Sequence, residues 1–399
     1  MRSQLKDLAV VEYGKSPNEV KDERGDFPVY GTGGLVAKAN DYLFDSEAII
    51  VARKGTLDKP SYVNGKFWVI DTAYAAIVKE GNFPKWLYYC LLNFDLKSLN
   101  EATGVPSISR DFLYKTQFYT PSYERQKKIA KILTTVDNLI EQTQALIDKY
   151  TAIKQGMMAD LFTRGIDLSG TLETNNNYGQ LRPSVEQAPE LYKETELGWV
   201  PKEWEVCALS KISEKIQDGT HFSPTTGGGE YLYLTSKNVR FGYLIVDNIE
   251  TIDKKQHESI YKRCDVKKGD LLLTKDGANT GNAAINEICE PFSMLSSVAF
   301  IRSNDRSTEN YLLHYLLSDS SQAKIKDEMS GNAITRLTLK KINEFIVSCP
   351  EIGEQVEIAD RLSALSRRVD FEVKYMEKLK TQKKGLMQDL LTGKVQVNA

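Results

Sequence analysis

Two stretches of this 399-residue chain place mostly apolar side chains at alternating steps of four and three. The first runs through Ile129, Leu133, Val136, Ile140, Thr143, Ile147 and Tyr150. The second runs through Ile358, Leu362, Leu365, Val369, Glu372, Met376 and Leu379. An average step of 3.5 residues is the seam of a coiled coil, not the broader stripe of a helix lying on a globular core. The pattern predicts two helices, over 121–163 and 350–393, each on the order of 60 Å long. Outside them, short apolar runs at 48–52 and 270–274 alternate with Gly/Asn turns and helical stretches near 84–99 and 309–328. That mixture predicts two α+β globular domains.

The two helical stretches are copies of one another. Shifting 121–163 by 229 positions onto 350–392 gives twelve identities without a gap, among them Pro121/Pro350, Gln126/Gln355, Lys154/Lys383, Gly156/Gly385 and Thr163/Thr392. A repeat of this kind decides the architecture before any single element does. The globular parts repeat more faintly, Leu5–Leu8 on 209–212 and 49–55 on 271–277, with about 25 extra residues in the second copy. The expected order is therefore a domain at 1–120, a helix at 121–163, a linker at 164–203, a domain at 204–349, a helix at 350–393 and a tail at 394–399. The linker reading rests on composition: Thr174-Asn-Asn-Asn177, Pro183, Pro189, and seven acidic against four basic residues. Two such helices should pair antiparallel, with a lysine at the same seam position of each (Lys154, Lys383) setting register at some cost in stability. Leu139, Leu146 and Ile153 form a second strip off the seam, which fits a wider core and a docking face equally.

Composition mainly excludes. With 52 basic and 54 acidic residues the net charge is −2, which leaves room for a local basic stripe but does not announce one. No apolar run is long enough for a membrane span, and the first residues carry no apolar signal region. The five cysteines are scattered and the three histidines follow no ligand spacing, so a reducing cytoplasm and no structural metal are expected. Gly14-Lys15-Ser16 lacks the earlier glycine of a phosphate loop, since Ala9 stands there. Gly31-Thr-Gly-Gly34 lacks dinucleotide spacing. No Asn/Asp-Pro-Pro-aromatic motif for a target amine is present, and no nucleophile or paired-carboxylate constellation stands out. The residues describe a binder made of two related modules.

Specific motifs carry a resemblance. They are Pro121-Ser-Tyr-Glu-Arg-Gln126 and Glu354-Gln355 at the helix heads, Leu197-Gly-Trp-Val-Pro-Lys-Glu-Trp-Glu-Val206 before the second domain, and Gly156-Met-Met-Ala-Asp-Leu161 with Gly385-Leu-Met-Gln-Asp-Leu390 near the helix ends. Pro28–Gly34, Ala52-Arg-Lys-Gly-Thr56, Val105-Pro-Ser-Ile-Ser109, Lys275-Asp-Gly277 and Gly331-Asn-Ala333 add to these. Over nearly its whole length the chain resembles the DNA-specificity subunit of type I restriction–modification systems, departing mildly at Gly353. The resemblance implies two target recognition domains, each reading half of a bipartite, asymmetric site in double-stranded DNA. It implies a non-catalytic chain in the cytoplasm. Two modification subunits would supply S-adenosylmethionine and adenine-N6 methylation, and two restriction subunits ATP, Mg and cleavage.

Base reading and phosphate contact need exposed Arg, Lys, Asn, Ser or Thr with close backbone approach. In the first domain the candidates are Thr32, Gly33, Gly34, Arg53, Lys54, Gly55, Thr56, Lys59, Ser107, Ser109 and Arg110; the two serines fit helix capping equally well. In the second they are Lys237, Asn238, Arg240, Lys275, Gly277, Asn279, Thr280, Asn332, Thr335 and Arg336, with Lys275-Asp276 open to being only a surface ion pair. The alternative function is a coiled-coil adaptor whose two modules bind protein or carbohydrate.

Overall fold

The computed structural model describes residues 1–329 and 336–398; the candidates Asn332 and Thr335 lie outside them. The chain divides into two compact units, 1–146 with 372–399 and 147–371. Each long helix, Tyr123–Thr163 and Ile352–Leu390, contributes one end to each unit.

In the first unit an antiparallel sheet runs in the order Ala9–Tyr13, Ala73–Val78, Ala48–Ala52, Ser61–Val63. A second sheet places Gly34–Ala39, Phe27–Gly31, Lys66–Val69 and Phe44–Asp45 side by side, with Phe27–Gly31 and Lys66–Val69 parallel. The second unit repeats this order. Ser213–Asp218, Val298–Ser303, Leu271–Thr274 and Ala283–Ile285 form one sheet, and Glu250–Ile252, Tyr231–Leu234 and Ser293–Met294 the other. The strands Ala48–Ala52 and Leu271–Thr274 are buried along their whole length, which is why their sequences read as unbroken apolar runs instead of alternating.

The repeated helix heads have a structural cause. Gln126 is fully buried and its side-chain carbonyl accepts the Phe83 N–H at 2.8 Å, while its amide donates to Pro121 O at 3.1 Å. Gln355 accepts the Thr308 N–H at 3.0 Å and donates to Pro350 O at 2.8 Å. Phe83 and Thr308 are the N-cap residues of the helices Pro84–Asn93 and Glu309–Leu316, so each glutamine satisfies a backbone N–H at a helix start inside a core.

The seam is buried within each unit. Ile129, Leu133, Ile147, Ile358, Leu362, Met376 and Leu379 are buried, and Val136, Ile140, Tyr150, Leu365 and Val369 are half-buried. The helices run antiparallel in both units: in the first Asp137 pairs with Lys383 and Arg125 with Gln396 just past the second helix, and in the second Arg368 lies 5.4 Å from the Tyr150 ring while Glu354 accepts the N–H of Ile166 just past the first helix. Leu139, Leu146 and Ile153 are exposed, so the strip off the seam is not wider core.

The segment expected as a linker is instead folded into the second unit. Ile166 is fully buried and bridges to Leu181, and Tyr192–Thr195 pairs with Gly198–Pro201 as a hairpin. Composition missed this because what holds the segment is a buried carboxylate far along the chain. Glu354 accepts the Ile166 N–H at 2.7 Å and the Trp204 indole N–H at 3.0 Å, and receives both Nη groups of Arg182.

Candidate nucleic-acid interface

In the first unit the strand Ala48–Ala52 runs straight into the first group of candidates. Its exit is zipped to the loop after Val105: Gly55 N–H donates to Pro106 O at 2.8 Å and Ile108 N–H to Arg53 O at 2.9 Å, with Lys54 bridged to Ser107. The turn needs φ +95° at Gly55, a conformation that favours glycine. The Thr32 hydroxyl stands 3.6 Å from where a Cβ on Gly55 would be. The fold thus gathers Thr32, Arg53, Lys54, Gly55, Thr56 and Ser107, with Gly33 and Gly34 in the hairpin beyond Thr32.

Beside this cluster lies a residue that sequence reasoning missed. Tyr13 presents its ring to two guanidinium groups, Arg53 at 5.4 Å and Arg110 at 5.0 Å. Its own ring meets Tyr74 edge-on at 5.1 Å. Burial pushes the Tyr74 phenol up to about 12, so it stays protonated and donates to Ile108 O at 3.2 Å. Neither arginine forms an ion pair among the described residues; Arg53 makes one bond to Asp71 O at 3.2 Å and keeps its other donors. Nothing in the sequence spacing joins Tyr13 to Arg110. The sheet register Tyr13↔Tyr74 and the zipped loop do.

Other candidates are occupied differently. The Ser109 hydroxyl caps the helix Arg110–Lys115 through the Phe112 N–H at 3.4 Å, which is the capping role. Asn100 and Glu101 brace this loop, their side chains accepting the Ser107 and Ser109 N–H groups. Lys59 is exposed, and no hydrogen bond or ion pair ties it to the cluster.

The second unit builds the same zipper. Lys275 N–H donates to Ser297 O as Arg53 N–H does to Thr72 O, both at 2.9 Å, Leu337 N–H donates to Lys275 O, and Asp276 bridges to Arg336. Gly277 has φ +88°. Thr338 caps the next helix as Ser109 does. The side chains differ. Lys275, proposed as an exposed contact, is 5% exposed and pairs with Asp218 and Asp276, each at 3.4 Å. Asp218 takes the place of Tyr13 at the end of its strand and also holds Arg263 and His221 at 3.3 Å. Lys275 is therefore committed inside the protein, because an unpaired lysine there would be costly to bury.

Asn279 donates to Ser236 O, Thr280 to Gly277 O, and Asn238 to Ile245 O. These amides and this hydroxyl shape the loops from within. Arg336, Lys237, Gly277 and Arg240 remain at least partly exposed, without ion pairs among the described residues. The two loops come together through Asn279–Ser236 and through Asn282, which donates to Val239 O at 3.4 Å. Among the described residues no group of His, Cys, Asp and Glu could hold a metal ion, and no helix is long and apolar enough to cross a membrane.

The model of the type I restriction modification DNA specificity domain matches residues 1–150 and 201–381, one match lying mainly in each unit. The chain belongs to the type I restriction–modification DNA-specificity family. This specificity subunit is 26% identical over 310 residues to the MjaVIII type I restriction enzyme specificity subunit of Methanocaldococcus jannaschii, covering 76% of this chain and 67% of that one. With the EcoDI specificity subunit of Escherichia coli it shares 19% identity over 398 residues, 97% and 86% of the two chains. Its fold matches the crystal structure of a type I restriction–modification S subunit from M. genitalium with a TM-score of 0.66, at 15% identity and covering 98% and 96%. In the specificity subunit the zipped loop pair thus occurs once per family-matched half.

Proposed function

We propose that the subunit reads a bipartite, asymmetric site in double-stranded DNA, one half-site per unit. The observation that carries this reading is the pair of zipped loops, built on the same backbone bonds and bearing different side chains. Arg53, Tyr13 and Ser107 stand in the first unit where Lys275, Asp218 and Arg336 stand in the second. A shared scaffold with unlike reading groups yields two unlike half-sites. Arg53, Lys54 and Arg110 offer donors to bases and phosphates in the first, and Arg336, Arg240 and Lys237 in the second.

In this reading the chain catalyses nothing itself. It recruits two modification subunits, which carry S-adenosylmethionine and adenine-N6 chemistry, and two restriction subunits, which carry ATP and Mg, in the cytoplasm. The length of the two long helices sets how many base pairs go unread between the half-sites. Exposed Leu139, Leu146 and Ile153 offer apolar surface to the modification subunits.

The test is methylation-site sequencing of DNA from cells with the modification subunit, in the presence and absence of this chain. A split motif of two unlike half-sites, present only with the chain, is the expected result. Methylation independent of the chain would overturn it in favour of the protein- or carbohydrate-binding adaptor. Affinity of the assembled complex should also fall steeply with salt, as counterion release from contacted phosphates requires.

A further inference from the structure

The two units differ most at one corner. In the first, the strands Phe27–Gly31 and Gly34–Ala39 are joined by Thr32 and Gly33 alone. In the second, the matching strands Tyr231–Leu234 and Glu250–Ile252 are joined by residues 235–249. About half of the extra length of the second unit is therefore spent at the place where Thr32 meets the zipped loop of the first.

This excursion is built rather than loose. Val239 is fully buried and bridges to Leu244, and both pack on the core around Leu234 and Ile252. Arg240 N–H donates to Tyr243 O at 2.9 Å and Ile245 N–H to Asn238 O at 2.8 Å, closing a turn with φ +94° at Gly242. Gly242 N–H is pinned to Ala283 O at 2.9 Å, and Asn279 and Asn282 tie the base of the turn to the Gly277 loop.

The tip of this braced turn holds Phe241, 51% exposed, and Tyr243, 59% exposed. Two large rings held out on a rigid support gain nothing from the fold, since they could be buried only by something else. Between Thr235 and Val246 the only charged residues are Lys237 and Arg240, both basic. Aromatic faces flanked by cations, beside a loop whose own lysine is neutralised by Asp218, suit a duplex: bases for the rings and phosphates for the cations.

We propose that Phe241 and Tyr243 contact bases in the half-site read by the second unit, with Arg240 and Lys237 anchoring the adjacent phosphates. In this way the excursion takes over the reading that Arg53 performs in the first unit. The proposal rests on the bipartite reading above and goes beyond it in naming the discriminating groups.

The experiment uses the full chain assembled with its modification subunit and duplexes carrying every single-base change in the wild-type methylated site. Phe241→Ala and Tyr243→Ala should lose discrimination by about tenfold or more at one or two adjacent positions of one half-site, roughly the cost of one mismatched pair. The other half-site should keep its preference, and thermal melting should not change because both rings are exposed. Phe241→Leu should retain part of the discrimination. If both alanine variants keep wild-type preference at every position, the proposal is overturned while the bipartite reading stands. If wild type itself shows no split site, the underlying reading fails first.

Discussion

Lys275 and Asp218 form a buried ion pair, Nζ to Oδ2 at 3.4 Å, at the place where the first unit sets Arg53 against the Tyr13 ring. The same backbone position thus carries a structural cation in one unit and an available one in the other. Lys275→Ala should lower stability by about 1–3 kcal/mol, since it strips one of the cations from a 2%-exposed carboxylate while Arg263 remains. Arg53→Ala should leave the melting temperature nearly unchanged and weaken DNA binding with a shallower salt slope. Equal melting temperatures for the two variants would contradict this division of roles.

Arg182 and Glu354 hold the segment 164–203 against the head of the second long helix. The carboxylate also accepts the Trp204 indole and the Ile166 N–H, so donors on three residues lose their acceptor together in Glu354→Ala. The expected cost is about 3–5 kcal/mol, with hydrogen exchange accelerating first at Ile166 and Trp204. Wild-type protection at those amides in the variant would show that the segment is held by other contacts.

Gln355 should cost at least as much as Gln126 when lost, since its amide also donates to Arg306 O at 2.9 Å. Each leaves a half-buried N-cap N–H, of Phe83 or Thr308, without its partner, a penalty of about 1 kcal/mol or somewhat more. Gln126→Ala should loosen the first unit and Gln355→Ala the second, read by hydrogen exchange in Pro84–Asn93 and Glu309–Leu316 respectively.

The two repeated seam lysines should respond oppositely. Lys383 pairs with Asp137 at 2.6 Å, and Tyr89 donates to the same carboxylate at 2.7 Å. Lys154 forms no ion pair among the described residues, and burial pushes its ammonium below the ordinary lysine range. Lys154→Met should raise stability by about 1 kcal/mol and Lys383→Met should lower it, as denaturant midpoints would show.

His314 makes the second unit acid-sensitive. Burial, aided by the nearby Lys154 charge, pushes its imidazole down to about 4, while Nε2 stays bonded to Ser363 Oγ at 2.9 Å. A folded value below the unfolded 6.5 means the unfolded chain takes up the proton first. Stability is then complete above pH 6.5 and falls as pH drops from 6.5 to 4, by roughly 3 kcal/mol in all. His314→Gln should remove that slope; an unchanged pH profile would count against it.

The helices and the repeat were legible because their signal is periodic and local. A seam repeats every few residues, and Gln126 and Gln355 recur because each does the same job at the same distance from its helix start. The candidate loops were legible in part. Gly55 and Gly277 mark turns with positive φ, and the motif at 52–56 lies in the zipped cluster. Residues whose role depends on a distant partner were not. Tyr13 reaches Arg110 only across a sheet, and the linker-like segment folds only because Glu354 receives it.

By itself, then, the sequence determined two duplicated helices, two α+β halves and the backbone turns at which a ligand could approach. These follow from periodicity, from the repeat and from glycine. Which cations stay free was decided by tertiary structure. A lysine and an arginine at matching positions differ in availability because one strand ends in Asp218, which with Asp276 takes up the lysine, and the other ends in Tyr13. Charge is carried by a residue, but its partner and its solvent are supplied by the fold.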